Sequence, residues 1–276
     1  MEIKETIKAT WLDENHPNYE RWKRARDISQ ERGKFVRSII EKKIKCENLL
    51  ILDLGSGQGG TAKILSEKNT VISIDLNILR LKSQEDLKDN IQRINGDALN
   101  VPLKQGTFDL IILQDVIEHV ADPEKLITTL NLLLKENGIL YLSTPNKLSF
   151  LNIISDPHWG FPFVSLLKRE NIKKYFLQYL RKSEIGRNDI AQLYSLSELS
   201  KLFQDKFNFT LYTNYSVEEL LRGNIGIIWS DFHLAILKII KFLKFDQLII
   251  GIANDKPGLV NKYITPTFYF LLEKIS

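Results

Sequence analysis

From residue 49 the chain alternates between short apolar runs and longer stretches whose apolar residues recur every three or four positions. The runs cover residues 49–54, 70–76, 91–97, 108–115 and 138–144. Each is nearly continuous, the pattern of strands covered by helices on both faces. Strands alternating with helices predict βαβ units and a parallel sheet. Upstream, residues 17–47 predict a helix broken near Gly33, with Tyr19, Trp22 and Arg26 at i, i+3 and i+7. Phe35, Val36, Ile39 and Ile40 continue an apolar stripe. That helix is expected to pack against the core; the alternative has Tyr19 and Trp22 helping to close a pocket.

After residue 145 the rhythm breaks. Residues 146–195 are rich in aromatic and basic side chains, and 195–207 read as a helix capped by Ser195 or Ser197. Strands are expected at 208–216 and 266–275, separated by an apolar, mostly helical stretch at 217–264. The expected organisation is an N-terminal helical segment, 1–48, then one domain, 49–276, with helical insertions at 146–195 and 217–264.

Composition narrows the class. With 43% hydrophobic and 26% charged residues the chain is an ordinary globular one, and a net charge of +4 spread among acids is no nucleic-acid footprint. Cys46 stands alone, which excludes an internal disulfide framework. There is no secretory h-region at the start and no spanning apolar run, so a cytoplasmic location is expected.

The sharpest local signal is ILDLGSGQGG, residues 51–60. Gly55, Gly57 and Gly60 satisfy the G-x-G-x-x-G of a dinucleotide loop. Asp53, Gly55, Gly57 and Gly59 satisfy an acidic-x-G-x-G-x-G loop. Glycines there permit a tight strand-to-helix turn and close approach of a ligand to backbone N–H groups. Asp75, 18 residues after Gly57, can accept from ribose hydroxyls in either case. An acid two residues before the first glycine suits an ammonium group, for which a dinucleotide has no counterpart.

ILDLGSGQGG, VISIDLN, INGDALNVPLKQGTFDLIILQDVIEHVADPEKL and LLKENGILYLSTPN resemble the successive motifs of class I S-adenosylmethionine-dependent methyltransferases, most of all the group that includes the ubiquinone-pathway O-methyltransferases. The resemblance runs from about residue 49 to 146. It implies a Rossmann-like, doubly wound α/β fold: a seven-stranded sheet with an antiparallel last strand. S-adenosylmethionine is the implied cofactor. By position, Asp53, Gly55 and Gly57 would hold its methionine end, with Ser56 and Gly59 completing the loop. Asp75 would bind the ribose with Leu76 beside it, Asp97 and Ala98 the adenine, and Gln114 would line the floor.

A hydroxyl acceptor needs a base, and histidine is the usual one. Of His16, His119, His158 and His233, two have a supporting context. His119 lies just beyond the fourth strand in VIEHV, where packing is the competing role. His158 lies in SDPHWGFPF, among aromatics on a turn set by Asp156, Pro157 and Gly160. Asp115, Glu118 and His119 lack a metal-ligand spacing signature, so no metal is expected. The acceptor is expected to be a small molecule or a lipid- or glycan-linked intermediate, because no Asn/Asp-Pro-Pro-aromatic clamp for a nucleic-acid base follows the fourth strand. An NAD-binding oxidoreductase and a non-catalytic cofactor-fold module remain the alternatives. Residues 234–251 are apolar apart from Lys238, Lys241, Lys244, Asp246 and Gln247. They read as a helix with three lysines on one face, either part of a lid over the cleft or a peripheral contact with a membrane.

Overall fold

The computed structural model describes residues 12–84, 90–187, 189–227 and 231–275; of 231–233 only the backbone is described. Seven strands form one sheet: β1 (Leu50–Leu54), β2 (Thr70–Asp75), β3 (Ile91–Asn95), β4 (Phe108–Gln114), β5 (Leu134–Pro145), β6 (Phe207–Leu211) and β7 (Thr267–Lys274). Their order is β3-β2-β1-β4-β5-β7-β6. β1 to β5 pair in parallel, and β7 runs antiparallel to both β5 and β6. This is the sheet expected from the sequence.

Strand periodicity divides the core into two layers. Ile51, Leu110 and Ile112 pack with Phe35, Val36, Ile39 and Ile40 of α2 (Ser29–Ile40) and Ala62 and Leu65 of α3 (Gly60–Leu65). Their neighbours Leu52, Ile111 and Leu113 face the other side. That side is closed by α5 (Pro123–Leu133) and by α9 (Leu196–Phe203), whereas α4 (Ile78–Lys82) follows β2. Ser195 caps α9 in a reciprocal box with Glu198.

The N-terminal helical stretch breaks at Ile28 rather than Gly33, giving α1 (Tyr19–Asp27) and α2. Gly33 serves packing instead. A Cβ there would lie 2.9 Å from the Thr61 Cα, so α2 and α3 could not approach as they do.

The segment after β5 contains α6 (Phe150–Ile154) and a helical run of α7 (Arg169–Asn171), a π-helical stretch Ile172–Leu177 and α8 (Gln178–Leu180). The expected strand at 208–216 stops at Leu211. Tyr212 starts α10 (Thr213–Arg222), whose Val-Glu-Glu-Leu-Leu-Arg sequence spaces polar and apolar residues at helical intervals. Residues 234–251 are not one helix either. α11 (Asp231–Phe242) and α12 (Asp246–Ile252) meet at a corner where Lys244 takes a φ of 56°, and α13 (Leu259–Tyr263) follows. Lys244 therefore lies at the corner, off the helical face expected to carry all three lysines.

Candidate active site

The strand order reverses between β1 and β4, and ligands of open α/β sheets bind beyond the carboxyl ends of the strands at such a point. A cavity of about 310 Å³ lies there. Gly55, Ser56, Gly57, Gln58, Gly60 and Thr61 form one wall. Gly55, Gly57 and Gly59 all adopt left-handed backbone, at φ of 75°, 56° and 75°. A Cβ on Gly55 would lie 2.3 Å from a Val116 methyl, whereas one on Gly57 would meet nothing within 4 Å. The loop is thus packed at Gly55 and open at Gly57. Gly60, the extra glycine of the dinucleotide pattern, has a packing role: its Cα faces Ser29 of α2, and a Cβ would come within 2.5 Å.

Two carboxylates lie behind the loop. Asp75 accepts from Gly57 N at 2.9 Å through one oxygen and from Asn77 N at 2.8 Å through the other. It is nearly buried and leaves lone pairs on both oxygens. Asp53 is also buried, with Oδ2 lacking any partner. Burial, reinforced by the charge of Asp75, raises its carboxyl to about 7. A buried acceptor without a donor beneath a glycine loop fits a cationic ligand group. Leu76 is 73% exposed beside Asp75, an apolar surface suited to a ring.

The other proposed cofactor residues divide. Gln114 lines the cavity and accepts from the Thr61 hydroxyl at 2.7 Å. Asp97 is exposed and accepts from Leu99 N and the Asn100 amide, the arrangement of a local turn cap, and Ala98 packs against the core. Neither lines the cavity, and β3 ends at Asn95, before both.

The opposite wall gathers titratable groups. Glu118 is fully buried; Thr144 donates to its Oε2 at 3.0 Å, while Oε1 has no hydrogen-bond partner and lies 3.9 Å from His158 Nε2. Burial, with the nearby charge of Asp115, pushes the Glu118 carboxyl up to about 8. The His119 and His158 rings meet edge to face, 5.1 Å apart. His119 Nδ1 is 2.8 Å from the Asp189 carbonyl; a carbonyl only accepts, so Nδ1 carries the proton and Nε2 is the free acceptor. Burial lowers the pKa of both rings, that of His158 well below its ordinary value, so both are neutral near pH 7. Glu118, His119 and His158 place one ligand atom each within 4.8 Å of one another, close enough to share a cation. The sequence set Asp115 in that trio; the fold brings in His158 instead, because Asp115 is held by Arg32 of α2 and by Ser143. His16 stacks on Trp22, and the His233 side chain lies outside the described residues.

His158 is positioned through its turn. Asp156 accepts from His158 N and Trp159 N, and Arg21 of α1 donates to the carbonyls of Asp156 and Pro157. α1 and the start of α2 roof the cavity with Asn18, Arg21, Trp22, Arg26, Ser29 and Arg32. Trp22 therefore faces the pocket rather than the core, and Tyr19 does not line it. The second insertion does not either: no described residue of 217–264 lines the cavity, against its expected role as a lid. Those residues pack behind the roof instead, where Gly226 sits against the Glu31 backbone so closely that a Cβ would come within 2.6 Å.

The family model of the methyltransferase domain matches residues 23–214, a span that includes the glycine loop, the histidine wall, the end of α1 and all of α2. The chain belongs to the methyltransferase-domain family. Its fold is that of the class I S-adenosylmethionine-dependent methyltransferases. A ubiquinone biosynthesis O-methyltransferase of Colwellia psychrerythraea is 32% identical over 39% of this chain and 46% of that protein. A norajmaline N-methyltransferase of Rauvolfia serpentina is 36% identical over 28% of this chain and 29% of its own. The matches span less than two thirds of the length of these curated relatives. A methyltransferase structure from Thermotoga maritima, titled a possible histamine N-methyltransferase, superposes with a TM-score of 0.55 over 94% of this chain and 97% of the other. At 16% identity that likeness is one of fold.

Proposed function

We propose that this methyltransferase methylates a hydroxyl oxygen on a small molecule or a lipid- or glycan-linked acceptor, with His158 as the proton acceptor. The observation that carries the reading is the neutral His158 imidazole in the cavity wall opposite the glycine loop, with the orphaned Glu118 oxygen 3.9 Å behind it. S-adenosylmethionine supplies an already electrophilic methyl group, so alignment and removal of the hydroxyl proton are left to the protein. Gly57, where a Cβ would meet nothing, leaves room for the cofactor's methionine end, Asp53 offers its charge and Asp75 its remaining lone pairs to the ribose. His158 would take the proton of the acceptor hydroxyl as the methyl group passes from the cofactor sulfur to that oxygen, the C–S bond breaking as the C–O bond forms and the neutral thioether, S-adenosylhomocysteine, leaving. Trp22 and Trp159 present the acceptor with aromatic surface.

Binding separates this reading from a dinucleotide enzyme. Asp75→Asn keeps one acceptor oxygen and loses a charge-assisted bond, so S-adenosylmethionine affinity should fall by about 2 kcal/mol, roughly thirtyfold. Calorimetry measures this directly; tight NAD binding with no response to S-adenosylmethionine would reject the site. Methyl transfer from labelled cofactor to catechol or phenol acceptors, with amines as the comparison, tests the preference for oxygen. Product formed on amines alone would refute it.

A further inference from the structure

Outside the cavity, the most unusual surface is the corner between α11 and α12. Phe242 is 84% exposed and is followed by Leu243 and Phe245, each 48% exposed. Ile239, one turn earlier, and Leu248, one turn later, are 57% and 59% exposed. Isolated exposed apolar side chains are ordinary, but a run of neighbours on one corner marks a contact surface. Lys238, Lys241 and Lys244 alternate with these residues, all three exposed and without an ion pair among the described residues. Residues 234–264 hold five lysines against two aspartates, three of the four net positive charges of the chain. Lys241, in the last turn of α11, is favourable to its dipole, but that effect does not account for the phenylalanine beside it.

We propose that this corner docks on an anionic lipid surface. Apolar side chains at the tip would enter the headgroup boundary, while the lysine stems lie along them and their ammonium groups meet lipid phosphates. The same features disfavour other occupants. A symmetric second copy would place like patches against each other, and with them two sets of unpaired lysines. The corner cannot fold over the cavity as a lid, because the cavity is already roofed by α1 and α2. No helix of the described residues is long and apolar enough to cross a membrane, so the contact is peripheral. The placement fits a device that brings the enzyme to the lipid surface from behind its roof: Leu234 at the start of α11 shares a crevice with Glu20, Arg24 and Ile28. The inference does not depend on which atom is methylated.

Flotation of the full chain with phosphatidylcholine vesicles, with and without phosphatidylglycerol, tests it. Binding should require the anionic lipid and weaken as salt is raised. Lys238→Gln, Lys241→Gln and Lys244→Gln combined should reduce partitioning about a hundredfold, at roughly fivefold per lysine. Phe242→Ser should reduce it about tenfold. In Phe242→Trp, tryptophan emission should shift to the blue when anionic vesicles are added. Failure to bind anionic vesicles, or equal binding to neutral ones, overturns the proposal. So does a lipid-free dimer that Phe242→Ser dissociates, which would assign the surface to a second copy.

Discussion

His158→Ala should lower turnover by roughly 10²–10⁴-fold, the usual contribution of a positioned general base, while S-adenosylmethionine affinity stays near that of the parent. The separation follows from the architecture. His158 stands on the turn after α6, whereas the glycine loop and Asp75 belong to β1 and β2. Losing the imidazole removes no contact from that loop. His119→Ala is the informative control. Its ring is held by the Asp189 carbonyl and packs against His158, so its loss should loosen His158 and cost less than removing it. Arg21→Ala should act at a distance by freeing the turn, raising the acceptor KM more than it lowers kcat. Steady-state kinetics with calorimetric cofactor affinities would check all three. Parent-like turnover in both histidine variants would remove the histidine base from the reaction.

The parallel sheet and its loop were legible because their signals are local. A continuous apolar run reports a strand covered on both faces, and glycines at fixed spacing report a turn that side chains cannot adopt. The histidine wall is a different kind of object. Glu118 and His158 are 40 positions apart, and only the path of the segment after β5 sets them 3.9 Å from each other. The roof left a trace that a purely apolar reading overlooks. Asn18, Arg21, Trp22, Ala25, Ser29 and Arg32 recur at three- and four-residue steps through α1 and α2, a polar and aromatic stripe on the cavity side. Helical periodicity in polar residues thus carried as much information as the apolar stripe, Phe35, Val36, Ile39 and Ile40, that continues it along α2. The break within 234–251 was not legible. Phe-Leu-Lys-Phe contains neither glycine nor proline, and Lys244 takes its left-handed conformation as the chain turns between two short helices.

The other large effect concerns Asp53. In the native protein burial, aided by Asp75, raises its carboxyl from the ordinary 3.8 to about 7. Between these values the folded chain holds a proton that the unfolded chain has released. Stability therefore falls as pH rises from about 4 to 7, and is flat above. A shift of this size corresponds to up to about 4 kcal/mol. Other buried acids and histidines add slopes of their own, so the observable is the difference between parent and Asp53→Asn, whose amide does not ionise. Urea unfolding from pH 4 to 8 should show the parent losing stability relative to the variant up to pH 7 and tracking it beyond. A flat difference would mean that the carboxyl is ionised throughout. The same residue links protons to the cofactor. If the ammonium end of S-adenosylmethionine is held near Asp53, it favours the ionised carboxyl, and binding below pH 7 must release a proton. Affinity should then climb with pH, by at most about tenfold per unit, until the carboxyl is already ionised. Calorimetry in buffers of different ionisation enthalpy counts that proton. If the parent releases none at pH 5.5 and Asp53→Asn binds the cofactor as tightly, the ammonium lies elsewhere, and the orphaned oxygen beneath the glycine loop serves the loop alone.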